Sequence, residues 1–541
     1  MKKWKQKNEL YWLLAVSVFC FGGFYDWTAA LLGAAVSVIA ILKITKTGKA
    51  LVIKEKWIWL VLIQLFCLFV SMLTAVDRGM NFVGIIRIYP VIAWLFLSMQ
   101  YSAEERKTAL DALPHMGCAT VAIGLVSLAV PGLSEWFWAA ERLGGFFQYS
   151  NTCAVFFLLG MLFLKEKNTK SAKIQWSILF WGILLTGSRT VMILLVVVLI
   201  AELLDRKVDK SKRLFIAVNV GSAVLAAVLM VIMTGSYQNL ARLATVFTTN
   251  STFWGRLLYW KDAIGLIVRT PLGLGWQGYY YIQPAIQTGV YTTMYVHNDL
   301  LQAFLDGGWI AGIAFGTLMI WQIKNSSYQL MLSALFLHSM VDINFQYTAI
   351  WFEANLLFDF GDEIVSLKKE KRLEYRIYLA IAGIIAAYFV IPFGAEYFDR
   401  YDLASYFYPG YTQAKEAVLS GTGNAEEAVR LADDILEQNE YSTIAYDAKA
   451  LAAYAKGDVE GFAKNKENVL RIARYDISHY RDYAYLLLQM ENFAQEQGDE
   501  MTAKYCRKKY AEITKLLKNV EEETSTLAWK LRDQPILTLE E

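Results

Sequence analysis

The sequence predicts an all-α membrane protein. A polytopic helical domain of about 12–14 helices over residues 1–393 is followed by a soluble helical domain over residues 394–541. Three observations predict it. The chain is 56% hydrophobic and only 19% charged, with a mean hydropathy of +0.33, whereas soluble domains run at roughly 45–50% and about 25%. A soluble core cannot hide that much apolar surface. Up to residue 393 the apolar residues fall in runs of ~15–22, the length that crosses hydrocarbon. Beyond it the text turns charged and helix-periodic.

The expected spans, in order, are 10–25, 28–42, 57–74, 81–99, 108–130, 150–164, 174–187, 190–203, 213–234, 300–323, 327–342, 348–360 and 377–393. The first stands behind MKKWKQKNEL and has the outline of a signal peptide. A second apolar run, Thr28 to Leu42, follows almost at once, so an uncleaved helix is expected. Of the five cysteines, Cys20, Cys67, Cys118 and Cys153 sit inside apolar runs and Cys506 in the tail. No spacing suits a disulfide framework or a zinc site.

Lys and Arg set the orientation. Alternate connections, among them KKWKQK, KITKTGKALVIKEK, KEKNTKSAK, DRKVDKSKR and SLKKEKRLEYR, hold 26 basic residues. The others hold seven: Arg78, Arg142, Arg189, Arg242, Arg256, Lys261 and Arg269. The first set, with the N-terminus, is expected in the cytoplasm. The second, with a large loop over 235–299, is expected outside, and the odd helix count puts residues 394–541 outside as well.

Each external basic residue then needs a reason. Arg142 lies in ERLGGFFQYSN, Arg189 in LLTGSRTVMILL, and Arg256 in FWGRLLYWKDAIG; His297 and Asn298 close the same large loop. Arg87, inside the fourth span, falls ~9 Å below its external end at the helical rise. A charge at that depth is costly unless paired or wetted. Guanidinium forks suit phosphate oxygens, so the set reads as a cationic pocket at the outer surface, fit for the diphosphate head of a lipid. The bland readings are snorkelling arginines, an interfacial histidine, and Arg256 as anchor of a surface helix rich in Trp254, Tyr259 and Trp260. Joint appearance on one side argues against them. Carboxylates on that side include Asp26, Asp262 and Asp342 but no DxD pair, so no metal and no cofactor is expected.

These residues resemble a known family. HNDLLQAFLDGGWIAG is similar to the signature of the O-antigen ligase and polymerase superfamily, with Ala311 at the second glycine position of its Gly-x-x-Gly turn and Gly312 following. GSRT resembles its Ser-Arg element, and RLGGFFQYSN, ending on Asn151, its Arg…Gly…Phe…Asn element. GRLLYWKDAIGLIVRTPLGLGW resembles its Arg…Trp…Pro-Leu-Gly-x-Gly element. LHSMVDINF, with His338 and Asp342 four residues apart, resembles a late His…Asp stretch. The resemblance spans roughly residues 140–360 in the right order.

It implies a membrane glycosyltransferase of the GT-C type. Such an enzyme passes a glycan from undecaprenyl diphosphate to a glycan or protein acceptor at the outer face of the cytoplasmic membrane. Under that implication Arg189 and Arg256 stabilise the departing diphosphate. Arg142 and Arg87 assist, and His297 either deprotonates the acceptor hydroxyl or, as imidazolium, holds the diphosphate. Asn298, Asn151, His338 and Asp342 join the substrate site. Polymerase, ligase and protein oligosaccharyltransferase remain open alternatives.

From Asn424 the text, with AYDAKALAAYAKGD as its best match, is similar to tetratricopeptide repeats. Residues 394–541 carry 18 basic against 27 acidic residues, a net charge of −9, which discourages contact with nucleic acid or anionic lipid. A docking module for a protein partner is expected. Two other classes compete, a lipid-linked glycan flippase and a non-catalytic scaffold. Ionisable groups gathered at one face, without internal duplication, favour the enzyme.

Overall fold

The computed structural model describes residues 7–165, 167–205, 209–234, 252–531 and 539. The Lys cluster at the extreme N-terminus up to residue 6, Arg206, Lys207, Arg242 and the first part of the large loop, 235–251, lie outside the described residues. The chain is 77% helical, and the all-α class holds.

Every expected span has a helix. The first eleven helices are α1 Glu9–Phe19, α2 Asp26–Thr47, α3 Ile58–Val70, α4 Arg78–Ser98, α5 Ala103–Ala109, α6 Ala112–Ser127, α7 Ser134–Phe137, α8 Ser150–Leu164, α9 Lys170–Thr186, α10 Arg189–Leu204 and α11 Lys210–Thr234. In the large loop come α12 Thr252–Arg269 and α13 Gly278–Ile286, and after it α14 Asp299–Asn325, α15 Gln329–Ser339, α16 Thr348–Leu357 and α17 Lys369–Tyr397. Several are long and apolar enough to cross a membrane, Asp26–Thr47, Arg78–Ser98 and Lys369–Tyr397 among them, and this is a multi-pass membrane protein. The fifth expected span divides into α5 and α6. Asp111 stands at the join and ion-pairs with Lys7 and Lys167.

Helix starts are written in the sequence. Asn8, Asp77, Thr169 and Asn298 each accept a backbone N–H from the first turn of the helix they precede. Each thereby satisfies one of the donors a helix leaves orphaned. α17 packs along α2, which packs on α4. Trp94 stacks on Phe352 at 4.3 Å and donates to the Phe352 carbonyl at 2.9 Å, fastening α4 to α16. Two small antiparallel ladders were not anticipated: β1 Leu51–Ile53 with β4 Ile364–Ser366, and β2 Trp138–Ala139 with β3 Arg142–Leu143.

Beyond α17 the chain continues as α18 Tyr401–Phe407, α19 Thr412–Gly421, α20 Ala425–Gln438, α21 Thr443–Ala455, α22 Val459–Ile472, α23 Ile477–Glu496, α24 Glu500–Glu523 and α25 Thr526–Leu531. Consecutive helices from α18 to α24 pack on one another, with Asn424, Ser442, Asp458, Asp476 and Asp499 as N-caps, while α25 lies against α12. Phe462, Tyr480, Tyr483 and Leu487 fill their core. Lys466, 1% exposed, is held between Asp447 and Asp482.

These helices are fastened to the start of α4 and its neighbours. Tyr408 donates to the Gly79 carbonyl at 2.8 Å, Tyr411 to Asp26 at 3.1 Å, and Asn439 to Asp77 at 3.2 Å. The approach is so close that a Cβ on Gly79 would lie 1.8 Å from the Gly410 carbonyl oxygen.

Candidate functional site

The site assembles where α8, α10 and α14 begin. Segments that are remote in sequence meet there, joined by side chains at or near helix ends.

The β2–β3 hairpin turns through Ala140 and Glu141, both at positive φ (48° and 61°). Two such residues give the turn that matches strand twist. It presents Arg142, whose Nε donates to the Thr186 carbonyl at 2.8 Å and whose Nη2 donates to Asn151 Oδ1 at 2.7 Å. The first bond grips the last turn of α9, immediately before Gly187 (φ 59°) reverses the chain. Ser188 and Arg189 follow, Arg189 as the first residue of α10. Arg189 is half-buried, and among the described residues no hydrogen bond or ion pair engages it.

Asp342 is the hub. It lies outside the helices, in the segment joining α15 to α16, and its side chain is 1% exposed. Its Oδ1 accepts from the Tyr149 hydroxyl at 2.7 Å. Its Oδ2 accepts from Asn151 Nδ2 at 2.7 Å and from Arg256 Nη2 at 3.1 Å. Arg256 reaches in from α12 and also donates to the Val341 carbonyl. Burial would push the carboxyl upward, but the Arg256 guanidinium and His297 override it and hold Asp342 well below the ordinary carboxylate range.

His297 completes the group. Its backbone has φ 50°, sparsely populated for a residue with a Cβ, and the Asn298 cap holds it there. Nδ1 is buried and 3.5 Å from Asp342 Oδ1, while the ring keeps 24% exposure. The accessible part is therefore the far edge. Asn298 caps α14 through Oδ1 and donates from Nδ2 to the Met340 carbonyl at 2.8 Å.

Two further motifs form a single joint. α14 is interrupted at Gly308 (φ 80°, ψ −172°). Into the break fits the Pro271–Gly275 segment. Trp309 N donates to Pro271 O (2.9 Å), Leu274 N to Leu305 O (2.7 Å) and Gly275 N to Asp306 O (3.1 Å). The twin glycines of α14 and the PLGLG of the large loop thus lock the loop's far end to the helix that His297 and Asn298 precede.

Two expectations fare differently. Arg87 does not face the hub. It donates to Asp26 and to the Phe24 carbonyl at 2.6 Å each, and to the Gln346 carbonyl at 2.9 Å, with Trp276 stacked 5.1 Å away. This is a paired strut that joins α2, α4 and the Asp342 segment. His338 and Asp342 do not share a helix face, because α15 ends at Ser339. His338 is fully buried and meets the Asn344 side chain at 2.9–3.1 Å.

Sequence reasoning missed Tyr149 and Asp299. Tyr149 reads as one more interfacial aromatic, and Asp299 as an acid in a first helical turn. Their partners lie 193 and 45 residues away. Beside the hub, a cavity between α3, α4 and α14 has mostly apolar walls. Its polar lining includes Arg87, Asp299, Gln302, Asp306 and Gln346.

Residues 176–316 match the family model of the O-antigen ligase. That stretch contains Arg189, Arg256, His297 and Asn298 and ends before Asp342. No curated protein sequence matches the chain.

Proposed function

From the premise of an O-antigen ligase/polymerase-family domain in a multi-pass membrane protein, we propose that the chain transfers a glycan from undecaprenyl diphosphate to an acceptor hydroxyl at the outer face of the cytoplasmic membrane. The observation that carries this reading is the Asp342 hub, with His297 against it and Arg189 at the start of a neighbouring helix.

Asp342 fixes the Nδ1 side of His297 and leaves the accessible ring edge to receive the acceptor's proton. The acceptor oxygen bonds to the anomeric carbon, the bond from that carbon to the diphosphate oxygen breaks, and its electron pair leaves with the diphosphate. Arg189, which has no partner among the described residues, meets that growing charge. Arg256 and Arg142 contribute their fields while their forks hold the hub together. The apolar cavity beside α14 suits a lipid-linked donor. Arginines carry the diphosphate charge, so transfer proceeds without metal. The charge asymmetry of the connections supports a reading in which the site and the acidic residues 394–541 lie outside. There the module's helix pairs offer a repeat-like surface for a protein partner.

The test is transfer by purified protein in liposomes containing an undecaprenyl-diphosphate oligosaccharide, in EDTA, with candidate glycan and protein acceptors. A ladder of product lengths identifies a polymerase, and a single shifted acceptor identifies a ligase or oligosaccharyltransferase. Absence of product with every acceptor overturns the reading.

A further inference from the structure

His297, Asn298 and Asp299 are consecutive, and each grips the same segment. His297 faces Asp342 at 3.5 Å, Asn298 donates to the Met340 carbonyl at 2.8 Å, and Asp299 Oδ2 accepts from the backbone N–H groups of Asn344 and Phe345 at 2.8 and 3.1 Å. Asp299 is 3% exposed, and its other oxygen, Oδ1, has no partner among the described residues. A buried carboxylate is costly to keep, and an N-cap is already supplied by Asn298. Capping α14 therefore does not explain it.

We infer that Asp299 is a positioning residue that sets the path of residues 340–346 and so presents Asp342 to His297 at the height the reaction needs. The grip is specific. Two N–H groups, two and three residues downstream of Asp342, converge on one carboxyl oxygen. Neighbouring contacts fix the ends of the segment, with Arg256 on the Val341 carbonyl and Arg87 on the Gln346 carbonyl. Between them Asp299 holds the Asn344 and Phe345 N–H groups, while that of Ile343 donates to Asp342 Oδ1 at 3.0 Å. Its action on catalysis passes through Asp342, so the inference rests on the transferase reading, while the geometric claim does not.

The test is hydrogen exchange of the peptide covering residues 340–347, measured on the full-length purified protein, alongside transfer kinetics. Asp299→Ala is expected to speed exchange of that peptide at least tenfold and to lower kcat at least tenfold, with the KM for the lipid-linked donor changed less than twofold. Asp299→Asn, whose amide oxygen accepts the same two N–H groups, is expected to restore both. Asp299→Ser, keeping a single acceptor, should fall between, and it carries the test if the alanine variant does not fold. Unchanged exchange in the alanine and serine variants overturns the inference. So does full activity despite faster exchange, since the loop would then be held without consequence. A wild type with no transferase activity refutes the proposed function, while exchange still decides the clamp.

Discussion

At the residue scale, chemistry and architecture divide the arginines. Arg87, Arg142 and Arg256 all spend donors on protein acceptors, whereas Arg189 spends none among the described residues. Arg189→Ala should therefore lower kcat by about 10²-fold without loss of folded protein, the usual scale for removing a donor from developing charge. Arg189→Lys should recover only part, because an ammonium cannot make the forked contact.

Asp342 yields a stability prediction. Its folded-state pKa is depressed below the ordinary value of ~3.9. Its contribution is therefore fully present above about pH 4 and is lost only as pH falls toward the depressed value. Asp342→Asn should cost about 3 kcal/mol, the scale for breaking a buried pair. Thermal melts should show the same loss at pH 5 and pH 8. A loss that grows toward pH 8 would mean that Asp342 titrates in that window. The sequence singled out His297, Asn298, Arg142, Arg189 and Arg256 by residue type and charge pattern. It hid Asp299 and Tyr149, whose roles exist only once distant segments meet.

At the element scale, a helix lies in each of the thirteen expected stretches, because apolar helical text is a local property. The division of the fifth span at Asp111 and the two small ladders were not legible, since each depends on partners far along the chain. The break in α14 was half legible: its glycines were visible, but not the segment that fills the break. At Gly308, φ is 80° and an added Cβ would lie 2.3 Å from the Pro271 carbonyl oxygen. Both strain and clash forbid a side chain. Gly308→Ala should destabilise by about 3 kcal/mol or more, read as a drop in melting temperature and in monodisperse yield. A variant melting like wild type would show that the joint yields easily.

Across the whole molecule, the acidic module sits against the ends of α2 and α4, and its seam carries a titratable carboxyl. Glu416 accepts from Ser442 at 2.5 Å and from Tyr281 of the large loop at 3.5 Å, and burial pushes it up to about 7. With a folded value above the unfolded ~4.3, its stabilising share is complete in acid and is lost as pH rises toward 7. Glu416→Gln should therefore raise the melting temperature by about 2–5 °C at pH 8 and by little at pH 5. A rise of the same size at both would contradict the burial argument. The helices beyond residue 394 were legible from the charged, helix-periodic text, but their attachment through Tyr408, Tyr411 and Asn439 was not.

The central claim is that the imidazole held against Asp342 takes the acceptor's proton. The most direct measurement is the single-turnover transfer rate of His297→Ala in liposomes charged with the lipid-linked donor and a competent acceptor. A fall of about 10²–10³-fold with unchanged donor binding is the predicted result, the scale of a lost general base. A rate equal to wild type would contradict the account.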